Sequence, residues 1–217
     1  MCYGARRMTP GQLARKLLGR HFVTVGGLYR SFFLSAEAFV ESFPTLPDNA
    51  HLLDVGGGDG YLLDLLLRKH PQWRVTMTDL APRIGLSLSE ETRPRVRMCP
   101  GTPASEAIAA HGPFDAVLLS DVLHHVPPAI RPGLLAELAP ALKPGVVLCI
   151  KDVEPGSPRS VLGEWSDRYV SGDKNVEQLS VREVRRLVAE QLPGLVDEDT
   201  PMYQRDAPNY MVTFRRP

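Results

Sequence analysis

The run Leu52-Leu53-Asp54-Val55-Gly56-Gly57-Gly58-Asp59-Gly60-Tyr61-Leu62-Leu63 constrains the fold more than any other part of this 217-residue chain. Apolar residues lead into an acid, glycines crowd the next positions, and a leucine-rich helical pattern follows. That order predicts a buried strand, a tight loop and a helix N-terminus. Glycines in such a loop let the backbone approach a ligand that side chains would exclude. An acid at the strand tip can accept hydrogen bonds from a cationic or hydroxyl-bearing group.

The spacing narrows the ligand. A dinucleotide fingerprint, G-x-G-x-x-G, needs glycine where this chain has Tyr61 or Asp59. A P-loop needs Gly-Lys-Ser/Thr, which does not follow. The pattern that fits is acid-x-Gly-x-Gly-x-Gly, read from Asp54 through Gly56 and Gly58 to Gly60. Further along, Val75-Thr76-Met77-Thr78-Asp79 is a second strand-like run ending in an acid. Phe114 to Ser120 is an apolar strand that runs into Asp121, His124 and His125, with Pro127-Pro128 marking a helix start. Leu142-Lys143-Pro144-Gly145 and then Val146 to Ile150 read as a helix end, a turn and a buried strand.

In these motifs the chain resembles the class I S-adenosylmethionine-dependent methyltransferases, closely over about residues 50 to 155. The resemblance implies S-adenosylmethionine as cofactor and S-adenosylhomocysteine as product. It implies that Gly56, Gly58 and Gly60 seat the methionine part, with Asp54 near its amino group. It gives Asp79 the ribose hydroxyls and places Leu80 against the adenine. Ser120 and Asp121, at the fourth strand tip, would face the methionine part and the substrate. The family often has an acid after the third strand, where this chain has Thr102. Thr102 or a backbone carbonyl would then meet the adenine.

The alternation along the chain is that of a mostly parallel α/β sheet of seven strands, doubly wound, with helices on both faces. We expect strands or helices at 51–55, 60–70, 74–78, 82–91, 95–98, 103–111, 114–119, 127–142 and 146–151. Ser180 and Glu183 form a candidate capping box for a helix at 181–191. Residues 198–215 read as a C-terminal antiparallel hairpin turning at Asp206 to Asn209, its last strand beside the fifth. Residues 1–47 read as an N-terminal helical cap and 48–217 as the cofactor-binding core, with 153–179 as a substrate-side insertion. Tyr3, Tyr29, Trp165 and Tyr169 could line an aromatic pocket or simply be core.

Composition excludes several classes. Lysine plus arginine and aspartate plus glutamate both number 25, so the net charge is zero, which argues against a nucleic-acid partner. Cys2, Cys99 and Cys149 lack metal-site or disulfide spacing. The chain shows no signal-peptide pattern and no long apolar run, so we expect no membrane insertion and a cytoplasmic location. A homodimer through the N-terminal helices is a further expectation.

For chemistry, methyl transfer to a hydroxyl or acidic carbon needs a proton acceptor, and His124 and His125 are the candidates, His124 first. Asp121, Asp152 and Glu154 could in principle hold a metal, but Asp152 is followed by Val153 rather than the asparagine of metal-dependent relatives, so we expect none. The reading is a small-molecule methyltransferase of secondary metabolism, acting on a hydroxyl or carbon of a partly apolar acceptor. Two alternatives stay open: a cofactor-binding protein of this fold without methyl transfer, such as a cyclase, and an RNA or protein methyltransferase.

Overall fold

The computed structural model describes residues 36–156, 177–199 and 209–217. One sheet organises them: β1 (His51–Val55), β2 (Arg74–Asp79), β3 (Val96–Pro100), β4 (Ala116–Ser120), β5 (Val147–Val153), β6 (Val196–Asp197) and β7 (Asn209–Arg215). The strand order is β3-β2-β1-β4-β5-β7-β6. The pairs from β3 through β5 are parallel, while β7 runs antiparallel to β5 and β6. The α/β fold and the last strand's place beside the fifth agree with the sequence reading. Strand order reverses between β1 and β4, so a crevice opens there beyond the strands' carboxyl ends.

The helices are α1 (Ala36–Ser42), α2 (Tyr61–Lys69), α3 (Ala104–His111), α4 (Arg131–Glu137) and α5 (Val181–Gln191). Both sheet faces are apolar, as a sheet buried on both sides requires. Leu53, Val55, Val117, Leu119, Leu148 and Ile150 pack with residues of α3, α4 and α5. Leu52, Val75, Met77, Leu118, Val147 and Cys149 pack on the other face with α1 and α2. There α1 sets Phe39 and Phe43 into the core, with Trp73 near Phe43 at 5.9 Å between ring centroids. The capping box of α5 forms as expected: the Glu183 N–H donates to Ser180 Oγ, and Ser180 N–H donates to Glu183.

Two expected helices fail. Residues 82–91 form turns, with only a short 3-10 turn following at Arg93–Arg95. Gly85 has φ +65°, outside the right-handed helical region, and backbone donors of this segment are taken elsewhere. Gly85 N–H donates to the Gly58 carbonyl at 2.9 Å, and Ser87 N–H to that of Asp59 at 2.8 Å. Asp64 of α2 accepts from the Ser89 amide and hydroxyl and from Thr92. Burial alone would raise that carboxyl; hydrogen bonds from Thr92, Ser89 and Arg68 outweigh it and bring it down to about 2. The segment is therefore a strap tied to the glycine loop and to α2.

The expected single helix at 127–142 is divided into a 3-10 turn at Pro128–Ile130, α4, and another at Ala139–Ala141. Pro128, Pro132 and Pro140 remove helix donors at the successive starts. The expected N-terminal cap and insertion fall largely on 1–35 and 157–176, and the hairpin turn on 200–208; these lie outside the described residues, as do Tyr3, Tyr29, Trp165 and Tyr169.

Candidate functional site

Four strand ends build the site. After β1 the chain turns through glycines with φ +69° at Gly56 and +57° at Gly58. A Cβ on Gly56 would lie 2.8 Å from Val122, and one on Gly57 would lie 2.4 Å from Asp54 Oδ2 and 2.7 Å from Met77. A Cβ on Gly58 would meet nothing closer than 3.9 Å, so the loop is closed beneath and open above. Gly60, with φ +80°, packs under Leu88 of the strap. The loop is hung from β2, where the Thr78 carbonyl accepts from Gly56 N–H at 2.8 Å and Gly57 N–H at 3.2 Å.

Asp79 ends β2. Its Oδ2 accepts from Gly58 N–H at 3.0 Å and its Oδ1 from Ala81 N–H at 2.8 Å. The carboxylate is thus fixed in orientation, with lone pairs left on both oxygens. The next side chain, Leu80, is 75% exposed at the edge of the cavity described below. The Thr102 hydroxyl donates to the Pro100 carbonyl at 3.3 Å, and the Thr102 carbonyl accepts the Thr78 hydroxyl.

Asp54 is the electrostatic anomaly. It is 3% exposed and makes no hydrogen bond or ion pair among the described residues. Burial, reinforced by the charge of Asp79, pushes its carboxyl up to about 7. A buried acid without a partner is unfavourable unless something outside the protein supplies a donor.

Beyond β4 and β5 the carboxylates are partnered. Asp152, fully buried at the end of β5, accepts from His124 Nδ1 at 2.5 Å. It also accepts from the Val153 N–H at 2.8 Å and the His124 N–H at 3.3 Å. Assigned from that bond, the His124 proton sits on Nδ1 and the lone pair on Nε2. The His125 ring lies 4.0 Å from that of His124 between centroids. Asp121 has φ +58° and binds Lys151 Nζ through both carboxylate oxygens. Ser120 donates only weakly, to Asp121 at 3.4 Å. Asp121, His124 and Asp152 hold donor atoms within 4.8 Å of one another, and the Lys151 ammonium supplies a cation beside them.

A cavity of ≈ 730 Å³ joins these parts. Of the residues named from sequence, Gly56, Asp79, Leu80, Thr102, Asp121 and His125 line it. Asp54 lies under the loop; Gly58, Gly60, Ser120 and His124 are set back from the lining. Its far wall is apolar, from Val122, Val126, Ile130 and Leu134. A second cavity, ≈ 890 Å³, opens at the strands' opposite ends beside His51, Arg74 and Arg97 and holds none of these residues. Sequence reasoning missed Lys151 and the pairing of Asp152 with His124. The available signal was an adjacent Lys-Asp closing the otherwise apolar run Val147 to Ile150.

Residues 30–191 match a family model described as a methyltransferase domain. Over 114 residues the chain is 31% identical to the demethylspheroidene O-methyltransferase of Rhodobacter capsulatus, covering 52% of this chain and 28% of that protein. Over 131 residues it is 31% identical to the sterigmatocystin 8-O-methyltransferase of Aspergillus flavus, covering 58% and 29%. The chain therefore matches less than a third of either relative's length. An O-methyltransferase family 2 protein from Planctomyces limnophilus, solved with apigenin, superposes with a TM-score of 0.67 at 23% identity, over 92% of this chain and 62% of that one. A mitomycin 7-O-methyltransferase superposes at 0.67 with 21% identity, over 98% and 62%. At these identities the structural likeness speaks for the fold. Among the described residues no helix is long and apolar enough to cross a membrane.

Proposed function

This chain belongs to the methyltransferase domain family, and on that premise we propose that it methylates a hydroxyl of a small, partly apolar metabolite of secondary metabolism, with S-adenosylmethionine as donor. The fit of the donor rests on Asp54, a buried acid without a partner among the described residues, beneath a glycine loop that is open above Gly58. A methionine ammonium would satisfy it, directly or through water. Asp79 keeps lone pairs for two ribose hydroxyls, and exposed Leu80 offers a flat apolar contact to an adenine. When bound, the cofactor supplies an electrophilic methyl group on a positively charged sulfur.

The chain's own residues supply position and a base. Asp152 holds the His124 ring through Nδ1, and His124 is the group we assign to take the proton of an acceptor hydroxyl. Val122, Val126, Ile130 and Leu134 exclude water from the cavity and favour an apolar acceptor. The oxygen preference, over carbon, follows from this dyad and from the two curated relatives, both named as O-methyltransferases. The observation that carries the reading is the convergence of Asp54, Asp79 and the His124–Asp152 pair on the crevice between β1 and β4.

The test is release of S-adenosylhomocysteine from the donor with a panel of phenolic and enolic acceptors, alongside calorimetry with S-adenosylhomocysteine. Binding with acceptor-dependent release supports the reading. Binding without release from any hydroxylated acceptor overturns methyl transfer to oxygen; no binding overturns the cofactor assignment as well. Self-association through the segment before residue 36, in the cytoplasm, completes the proposal. Light scattering on the full chain and on one starting at residue 36 reports the first, and cell fractionation the second.

A further inference from the structure

Lys151 is a charged residue where the fold has little room for one. Its side chain is 3% exposed, and strand alternation sends it to the α2 face while neighbouring Asp152 turns to the other. The parallel register sets Ser120 opposite Lys151, and the Asp121 N–H donates to the Lys151 carbonyl at 2.9 Å. The left-handed backbone at Asp121 turns its carboxylate back onto the Lys151 ammonium. An unpaired lysine or aspartate here would be costly, so each fixes the other.

We propose that Lys151 neutralises Asp121 and so removes one of the two neighbouring carboxylate charges, those of Asp121 and Asp152, from their action on His124, which shifts the pH range in which His124 can accept a proton. Lys151 is then a positioning residue for the methyl transfer proposed above, and the proposal rests on that reading for its consequence in turnover. The geometry carries it: Asp121, His124 and Asp152 place one donor atom each within 4.8 Å. Two ionised carboxylates beside an imidazole favour its protonated form, and a protonated ring accepts nothing.

Among the described residues the other charged and titratable groups near His124 are engaged as follows. His125 packs ring to ring on the same turn. Arg131 of α4 directs its Nε to the Leu123 and Val126 carbonyls and its Nη1 to Glu177 at 3.6 Å. Glu177 meets His124 through its backbone, its N–H donating to the His124 carbonyl at 2.9 Å. Tyr210 of β7, opposite Asp152, donates its hydroxyl to the Leu179 carbonyl, and Glu154 accepts the Val181 N–H. Among the described residues Lys151 is the cation that touches Asp121. Burial would raise the Asp121 carboxyl, yet the Lys151 charge and hydrogen bond, together with the charges of His124 and His125, outweigh it and hold the group below its ordinary value.

The test is an NMR titration of the full chain with labelled histidine, in the absence of donor and acceptor. The His124 signals are assigned by their loss in His124→Gln. In Lys151→Met the His124 midpoint should rise by about one pH unit. Lys151→Arg should keep the native midpoint, and Asp121→Asn/Lys151→Met, which removes both charges, should return toward it. A merely structural role for Lys151 would give no such reversal. A Lys151→Met midpoint equal to native, or a double variant that stays with the single one, overturns the proposal. If Lys151→Met does not fold, Asp121→Asn alone decides: a lowered midpoint supports the proposal and an unchanged one overturns it. Because no cofactor or acceptor is present, this result stands apart from that of the S-adenosylhomocysteine assay. Where an acceptor is in hand, the acid limb of kcat/KM should move with the midpoint.

Discussion

The arm of the crevice built by β1 and β2 differs from the arm built by β4 and β5 in how each treats its carboxylates. On the first arm, among the described residues, the Asp54 carboxyl is buried without a partner and Asp79 bonds only to backbone amides. On the second, Asp152 holds a histidine and Asp121 a lysine. Among the described residues the first arm leaves hydrogen-bond capacity open, as the proposed cofactor site requires. The second arm is internally satisfied and rigid, as a base and its support should be. On the proposed reading the difference separates cofactor binding from proton handling across one crevice.

That separation can be broken by mutation. The largest effect should come from the second arm: His124→Gln or Asp152→Asn should lower kcat by about 10² to 10⁴-fold, while S-adenosylhomocysteine affinity in calorimetry changes little. Equal losses in both would merge the two arms. On the first arm, Gly57→Ala forces a Cβ to 2.4 Å from Asp54 and 2.7 Å from Met77. It should cost about 2 to 3 kcal/mol of stability and abolish measurable S-adenosylhomocysteine binding, whereas Gly58→Ala, with space but a positive φ, should cost about 1 kcal/mol by thermal unfolding. Asp79→Ala should weaken S-adenosylhomocysteine binding by about ten- to a hundredfold, from the lost hydrogen bonds and the loosened Gly58 amide.

The smallest and most diagnostic effect concerns Asp54. Its folded value, about 7, lies above the ordinary 3.8, so the folded chain favours the protonated acid. Ionising it therefore costs stability progressively as pH rises from about 4 to about 7. A ligand ammonium would favour the carboxylate, so binding should release up to one proton within that window and affinity should rise toward pH 7, then level. Calorimetry in buffers of different ionisation enthalpy reads this directly. Asp54→Asn should abolish the proton release, and a release that persists in this variant would place its source elsewhere.

The two arms also differ in how far they could be read from sequence. The first is local: Asp54 through Gly60 is one continuous run, and Asp79 ends the adjacent strand, so spacing alone placed them. The expected elements hold where local signals agree, as in the glycine-led start of α2 and the Ser180–Glu183 box of α5. They fail where tertiary bonds compete. Residues 82–91 carry helix-compatible residues, but Asp64 and the glycine loop capture their donors. Thr102 lines the cavity, but its hydroxyl is engaged by the Pro100 carbonyl, a contact that spacing does not foretell.

The sequence by itself determined the sheet, the glycine loop and the acids at the strand tips, because hydrophobic period and glycine spacing act over a few residues and survive in isolation. Only the tertiary structure decided which acids would be partnered. His124 meets Asp152 across 28 positions and Asp121 meets Lys151 across 30, contacts that exist only once parallel pairing of β4 with β5 brings their ends together. Burial then makes those contacts matter, since a charge removed from water must be answered by a neighbour that no local pattern names.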